Sequence, residues 1–153
     1  MKTKSAIIVL LALHLSVGGF SQGYQSSLGG RGGVYNGISF KYFVSSLDAI
    51  EIVGAFYRES LFFAAMYQMH NPISEVSNLN WYYGFGAHFG FFGKLHNPDE
   101  PGTRIGGSGN LGLEYKFERL PVTIGLDVLP SLDVFSQTRF WIGGGIAIRY
   151  VFQ

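Results

Sequence analysis

The sequence predicts an all-β fold, an eight-stranded antiparallel up-and-down transmembrane β-barrel, on three observations. First, residues 139–152, Arg-Phe-Trp-Ile-Gly-Gly-Gly-Ile-Ala-Ile-Arg-Tyr-Val-Phe, divide by alternation into two unlike faces. One carries Phe140, Ile142, Gly144, Ile146, Ile148, Tyr150 and Phe152; the other carries Arg139, Trp141, Gly143, Gly145, Ala147, Arg149 and Val151. Side chains in a strand alternate faces, so one side is oily with aromatics at both ends and the other is small or charged, as a strand between lipid and a packed polar lumen requires. Second, the chain holds 22 glycines and 16% aromatic residues. Glycine is depleted in ordinary strands, and its abundance beside Phe and Tyr calls for close packing on one face and apolar contact on the other. Third, after the N-terminal leader no uninterrupted apolar run is long enough to span a bilayer. A membrane-inserted mature chain must then be a closed barrel, which leaves no backbone group unpaired in lipid.

The leader is residues 1–21. Lys2 and Lys4 form a positive start, Ala6 to Val17 an apolar core, and Gly19-Phe-Ser21 supplies the small residues a signal peptidase needs. The apolar run is shorter than the roughly 20 residues of a bilayer helix, so a cleaved signal peptide is expected, with Gln22 as the mature N-terminus. Residues 22–153 amount to one domain. With 14% charged residues and a net charge of +1, no field strong enough to gather nucleic acid is present. There is no cysteine, which excludes a disulfide framework, a thiolate nucleophile and a lipidated N-terminal Cys.

Taken in order, Tyr24 to Val34 alternates loosely and is the weakest strand. Asn36-Gly37 is the dipeptide most typical of a two-residue hairpin, and Ile38, Phe40, Tyr42 and Val44 form the next apolar face. Residues 49–58 set Ile50, Ile52, Gly54 and Phe56 against Glu51, Val53 and Ala55. Residues 61–70 follow a tight turn, and 71–79 form a longer connection. Residues 80–92 place Trp81, Tyr83, Phe85, Ala87, Phe89 and Phe91 opposite Tyr82, Gly84, Gly86, His88 and Gly90; three interior glycines argue against a helix there. The polar stretch 93–103, containing Asn97-Pro-Asp-Glu-Pro-Gly102, is the longest loop. Residues 105–117 and 122–130 supply two more strands, 131–138 a loop or strand extension, and 139–152 the last strand. With a periplasmic C-terminus, the long 93–103 loop falls outside the cell and Tyr24 begins on the periplasmic side, as an even-stranded barrel demands.

The inward faces collect Arg31, Lys41, Lys116 and Arg149 with Glu51, Glu114 and Asp127. Enclosed charges must be paired to be tolerable, and an eight-stranded barrel is only wide enough for its own side chains, so these residues and His88 are expected to plug the lumen. Trp81, Phe91, Phe140, Tyr150 and Phe152 are expected at the two membrane interfaces. His88 and Ser108 fall inward on neighbouring strands, but a nucleophile needs a base and a group orienting that base, and no local motif supplies the third group. No catalytic residue, cofactor or metal site is therefore expected, since His70, His88 and His96 lack metal-ligand spacing. Gly106-Gly-Ser-Gly109 and Gly143-Gly-Gly145 are read as close packing, for no Lys-Ser/Thr follows.

The leader, Leu28-Gly-Gly-Arg-Gly-Gly33, Asn80-Trp-Tyr-Tyr-Gly84, Leu111-Gly-Leu-Glu-Tyr115 and the ending Ile148-Arg-Tyr-Val-Phe152 resemble small outer-membrane β-barrel proteins of the Bacteroidota. In size and terminal strand the chain is also similar to the membrane domain of OmpA-like proteins. The resemblance implies insertion in outer-membrane lipid, and recognition of the C-terminal strand by the barrel-assembly machinery; here Gln153 follows the terminal aromatic. A structural or surface-interacting role is expected. Two alternatives are a soluble lipocalin-like barrel, whose oily residues would line a cavity for an apolar ligand, and a lipid A-modifying barrel enzyme using His88 or Ser108.

Overall fold

The computed structural model describes residues 24–57, 59–93, 102–135 and 138–152. The leader, Gln22, and positions 94–101 of the long loop lie outside the described residues. Eight strands follow in chain order: β1 (Ser26–Gly33), β2 (Asn36–Phe43), β3 (Asp48–Tyr57), β4 (Ser60–Pro72), β5 (Leu79–Phe92), β6 (Gly102–Lys116), β7 (Val122–Asp133) and β8 (Arg139–Phe152). Each pairs with its sequence neighbour, and β8 returns to β1 to close the barrel. The closing register, Ser26 opposite Phe152 and Gly33 opposite Gly145, places both ends of the described chain at one rim.

The period-2 pattern decides which way each strand faces. Ile142, Ile146, Phe85 and Ile38 are 53–65% exposed on the outer wall, whereas Arg149, Lys41 and Glu114 are at most 1% exposed inside. A soluble protein distributes these residue types the other way. The lipocalin-like arrangement expects an open apolar cavity, whereas here the middle of the lumen is filled by charged side chains and the large aliphatic residues of the wall point out.

Several boundaries differ from those read in the sequence: β4 runs on through Asn71 and Pro72, and three others bear on the lumen and the loops. Asn36-Gly37 does not form the hairpin turn: both residues lie in β2, with Gly37 opposite Arg31, and Asn36 lacks the positive φ such a turn needs. The connection is instead centred on Val34-Tyr35. Asn36 Oδ1 accepts the Gly33 N–H at 3.3 Å, while Tyr35 folds over the barrel and stacks on Phe62 with ring centroids 5.1 Å apart. Placing the turn at Val34-Tyr35 rather than at Asn36-Gly37 is what brings that half-buried ring over the lumen. Second, β7 does not stop at Pro130 but continues to Asp133. Proline lacks an N–H, and the strand passes through it by leaving two pairs of the β6–β7 ladder unmade. Pairing runs to Ser108 opposite Ser131 and resumes at Leu111 opposite Val128. Third, Gly102 and Thr103 belong to β6 rather than to the loop before it.

The connection 73–78 is long for the rim that carries the termini, yet it is compact. The Ile73 N–H donates to the Leu79 carbonyl at 3.0 Å and Val76 N–H to the Ile73 carbonyl at 3.2 Å. Asn78, at φ 64°, donates its side-chain amide to Glu118 at 3.1 Å, tying this turn to the next.

Several glycines mark places where strands approach too closely for a side chain. A Cβ on Gly86 would run into the Ala65 carbonyl, and one on Gly29 into the Ile148 carbonyl. The obstruction is backbone, which cannot rotate away. Gly86→Ala should therefore destabilise the barrel by about 1–3 kcal/mol, read as a lowered urea midpoint in detergent micelles.

Candidate functional site

The lumen is filled in three tiers. Nearest the termini, Tyr24, Phe43, Ala49 and Val151 form a small apolar cluster, with the Tyr24 ring edge-on to Phe43 at 5.0 Å.

Above it lies a charged tier built around Arg149, which β8 directs inward. Arg149 Nε donates to Ser39 Oγ at 2.8 Å and Nη1 to Glu114 Oε2 at 3.0 Å, while Nη2 donates to Glu51. Lys41 Nζ donates to the same Glu114 oxygen at 2.9 Å and sits 4.3 Å from the centroid of the Tyr82 ring. Tyr24 Oη donates to the other Glu114 oxygen at 2.5 Å. Ser39 Oγ donates to Glu51 Oε1 at 2.5 Å, and Gln68 donates to Glu51 Oε2. Two cations thus face two carboxylates, and hydroxyls and an amide take up the remaining lone pairs. A buried ion pair is tolerable on those terms. Lys41 also approaches His70 Nε2 at 3.3 Å. An ammonium only donates, so His70 accepts through Nε2 and its ring proton sits on Nδ1. Arg31 makes a separate two-pronged pair with Asp127, one arm at 2.6 Å, and Tyr82 Oη donates to Asp127 at 3.2 Å.

The third tier, toward the far rim, is apolar and aromatic: Val53, Ala55, Phe62, Ala64, Met66, Phe92 and Leu129, with Tyr35 and Trp141 packed on it. Set into this tier is a second polar group. His88 Nδ1 lies 2.7 Å from Ser108 Oγ and His88 Nε2 lies 2.8 Å from Asp133 Oδ1. Ser108 Oγ is 2.7 Å from Ser131 Oγ, and Trp141 Nε1 donates to Asp133 Oδ1 at 3.2 Å. Arg104 Nη1 stands 3.7 Å from Asp133 Oδ2 and 4.6 Å from the centroid of the Phe92 ring.

Of the residues the sequence marks for the lumen, Arg31, Lys41, Glu51, Glu114, Asp127 and Arg149 meet in the charged tier and His88 sits in the upper cluster. Lys116 does not join them. It occupies the last position of β6, half-buried at the rim beside the 73–78 turn, too near the strand end for its ammonium to enter the network. Trp81, Phe91, Phe140, Tyr150 and Phe152 stand on the outer wall, each 39–62% exposed. Sequence reasoning missed Tyr24, Ser39, Gln68, His70 and Tyr82, which complete the charged tier. The inward parity of Ser39, Gln68, His70 and Tyr82 was legible, but neutral groups gave no charge to balance; Tyr24 shares the parity of outward Leu28 and turns in ahead of β1, which starts at Ser26. Sequence reasoning also missed Asp133, the third group beside His88 and Ser108, because a segment open to either loop or strand extension after Pro130 fixes no inward direction for it. Among the described residues no group of three His, Cys, Asp or Glu side chains could hold a metal ion.

An antiparallel eight-stranded barrel with an apolar belt outside and balanced ions inside has the architecture of transmembrane barrels. Among solved structures, the chain is similar to the N-terminal β-barrel domain of Pseudomonas aeruginosa OprF, with a TM-score of 0.66 and 16% identity over 84% of this chain and 99% of that domain. This likeness is one of fold. No protein-family model matches the chain, and no curated protein matches it in sequence.

Proposed function

We propose that the chain is an exported outer-membrane barrel protein of the Bacteroidota type, with both termini in the periplasm and a lumen shut by its own side chains. Its role is structural or surface-interacting: it stabilises the envelope, or presents the loop between β5 and β6 to a partner. The observation that carries this reading is the reversed polarity of the wall, with Ile146 53% exposed and its lumen-facing neighbour Arg149 fully buried. In water that arrangement would expose a continuous apolar band far larger than a soluble monomer tolerates; in lipid it is the stable one. The β8 strand, ending on exposed Tyr150 and Phe152, is the segment offered to the assembly machinery.

Fractionation and protease shaving of intact cells test the proposal. The protein should need detergent for extraction, migrate faster on gels before boiling than after, and be cut from outside only within 94–101. Recovery in the aqueous fraction, or external cutting at 73–78, would overturn the location or the orientation respectively.

A further inference from the structure

We infer that Ser108, His88 and Asp133 form an acyl-transfer site for a lipid carboxylic ester that enters sideways through the interrupted β6–β7 ladder. The lipid source of the substrate rests on the outer-membrane reading above; the chemistry of the three side chains does not.

The hydrogen bonds fix the protonation pattern. A carboxylate can only accept, so the proton shared with Asp133 Oδ1 at 2.8 Å belongs to His88 Nε2. In the neutral ring Nδ1 is then the basic nitrogen, and the Ser108 hydroxyl, 2.7 Å away, is placed to donate to it. Ser131 Oγ lies 2.7 Å from Ser108 Oγ and 3.5 Å from the Leu129 carbonyl. A hydroxyl aimed at a basic ring nitrogen, with a carboxylate holding the ring's other nitrogen, is the arrangement that activates a serine. Trp141 Nε1 bonds the same carboxylate oxygen at 3.2 Å and holds Asp133 in place. Phe62 and Trp141 cover the imidazole, with centroids 5.5 and 5.9 Å from it.

Two independent observations point to a ligand. The first is Asn110, two residues along β6 on the same inner face as Ser108. It is 4% exposed, and neither its amide nitrogen nor its oxygen has a hydrogen-bond partner. Such a group is expensive to leave unmade in a folded protein; its Nδ2 supplies a donor for the oxyanion that develops when a carbonyl is attacked. The second is the wall itself. Gly109 and Asn110 face Leu129 and Pro130 without ladder pairing, beside Ser108 and Ser131. Outside, an apolar groove of about 420 Å³, lined by Trp81, Leu111, Leu113, Leu126 and Val128, borders this seam. The groove suits an acyl chain whose ester group passes inward.

In the first step Ser108 Oγ bonds to the ester carbonyl carbon as its proton moves to His88 Nδ1. The ester C–O bond then breaks, and the departing alkoxide takes that proton, leaving an acyl-Ser108. Water, deprotonated by His88, attacks the acyl carbon; the fatty acid leaves and Ser108 regains its proton. Ser108 and His88 are the catalytic residues and Asp133 is a positioning residue.

The test uses the full-length protein folded in micelles, with a long-chain alkyl fluorophosphonate and p-nitrophenyl decanoate as probes. Labelling should map to Ser108 and vanish in Ser108→Ala. It should fall about 100-fold or more in His88→Gln. Asp133→Asn should move the pH profile of hydrolysis, which a merely structural role would leave in place. Pro130→Val, which restores the missing amide, should slow labelling by the long-chain probe at least tenfold; an unchanged rate overturns the lateral route. Wild-type protein that shows the heat-dependent gel shift yet is not labelled, or labelling that survives in Ser108→Ala, overturns the catalytic inference while leaving the membrane reading intact. Absence of the gel shift counts against the membrane reading instead.

Discussion

Arg149→Met should destabilise the folded barrel by about 3–5 kcal/mol, the usual consequence of removing one partner from a buried ion pair. Arg149 is fully buried and, among the described residues, is the side chain that bonds both Glu51 and Glu114. Without it Lys41 alone must answer two carboxylates, and one negative charge stands in the lumen unpaired. Methionine fills much of the same volume, so the loss is electrostatic rather than a cavity. The measurement is the urea midpoint of unfolding in micelles, with the slope unchanged to show that the same surface is exposed. The double variant Arg149→Met/Glu51→Gln restores neutrality around the Lys41–Glu114 pair and should recover at least half of the loss. A single variant within about 1 kcal/mol of wild type would be in the range of exposed pairs, and would mean the network is solvated.

Ile146→Arg should destabilise insertion into liposomes by about 2–4 kcal/mol, the range for a cation facing lipid near the bilayer midplane. Ile146 lies midway along β8, with Leu126 of β7 opposite it and Gly32 of β1 on its other side. Among the described residues, its outer-wall neighbours on β1 and β7 carry no carboxylate. The same change on the surface of a soluble barrel would be close to neutral, so a small effect would argue for water outside. The two substitutions probe opposite faces of one strand three residues apart, and their effects should add nearly independently because the wall separates them.

The parts of this fold that follow from period 2 were open to sequence reading. Residues 139–152 alternate so cleanly that the direction of every side chain in β8 follows from one register choice, and a slip of one residue would put Arg149 in lipid. The same logic places Glu114, Lys41 and Glu51. What parity cannot give is depth. Lys116 has the right parity for the lumen but sits at the end of β6, and its half-buried position is set by how the 73–78 turn packs on it. Local turn chemistry also lost to tertiary contacts at Asn36-Gly37, where burying the Tyr35 ring against Phe62 outweighs the preference of the dipeptide. Pro130 misled for a different reason. It removes one ladder bond without ending the strand, and the three residues beyond it carry both Ser131 and Asp133. The His88 cluster was thus half legible, as two residues without the carboxylate that gives them a chemical arrangement.

The chain contains two tryptophans, and they stand on opposite sides of the wall: Trp81 is 39% exposed on the outer face, while Trp141 packs into the upper lumen against Tyr35 and Phe62. Tryptophan fluorescence in bilayers of brominated lipid, recorded on Trp141→Phe and Trp81→Phe separately, reads this sidedness directly. Trp81 should be strongly quenched by the brominated acyl chains and Trp141 should not. Quenching of Trp141 with Trp81 untouched would contradict the outward placement of the apolar face, and with it the membrane account of the protein.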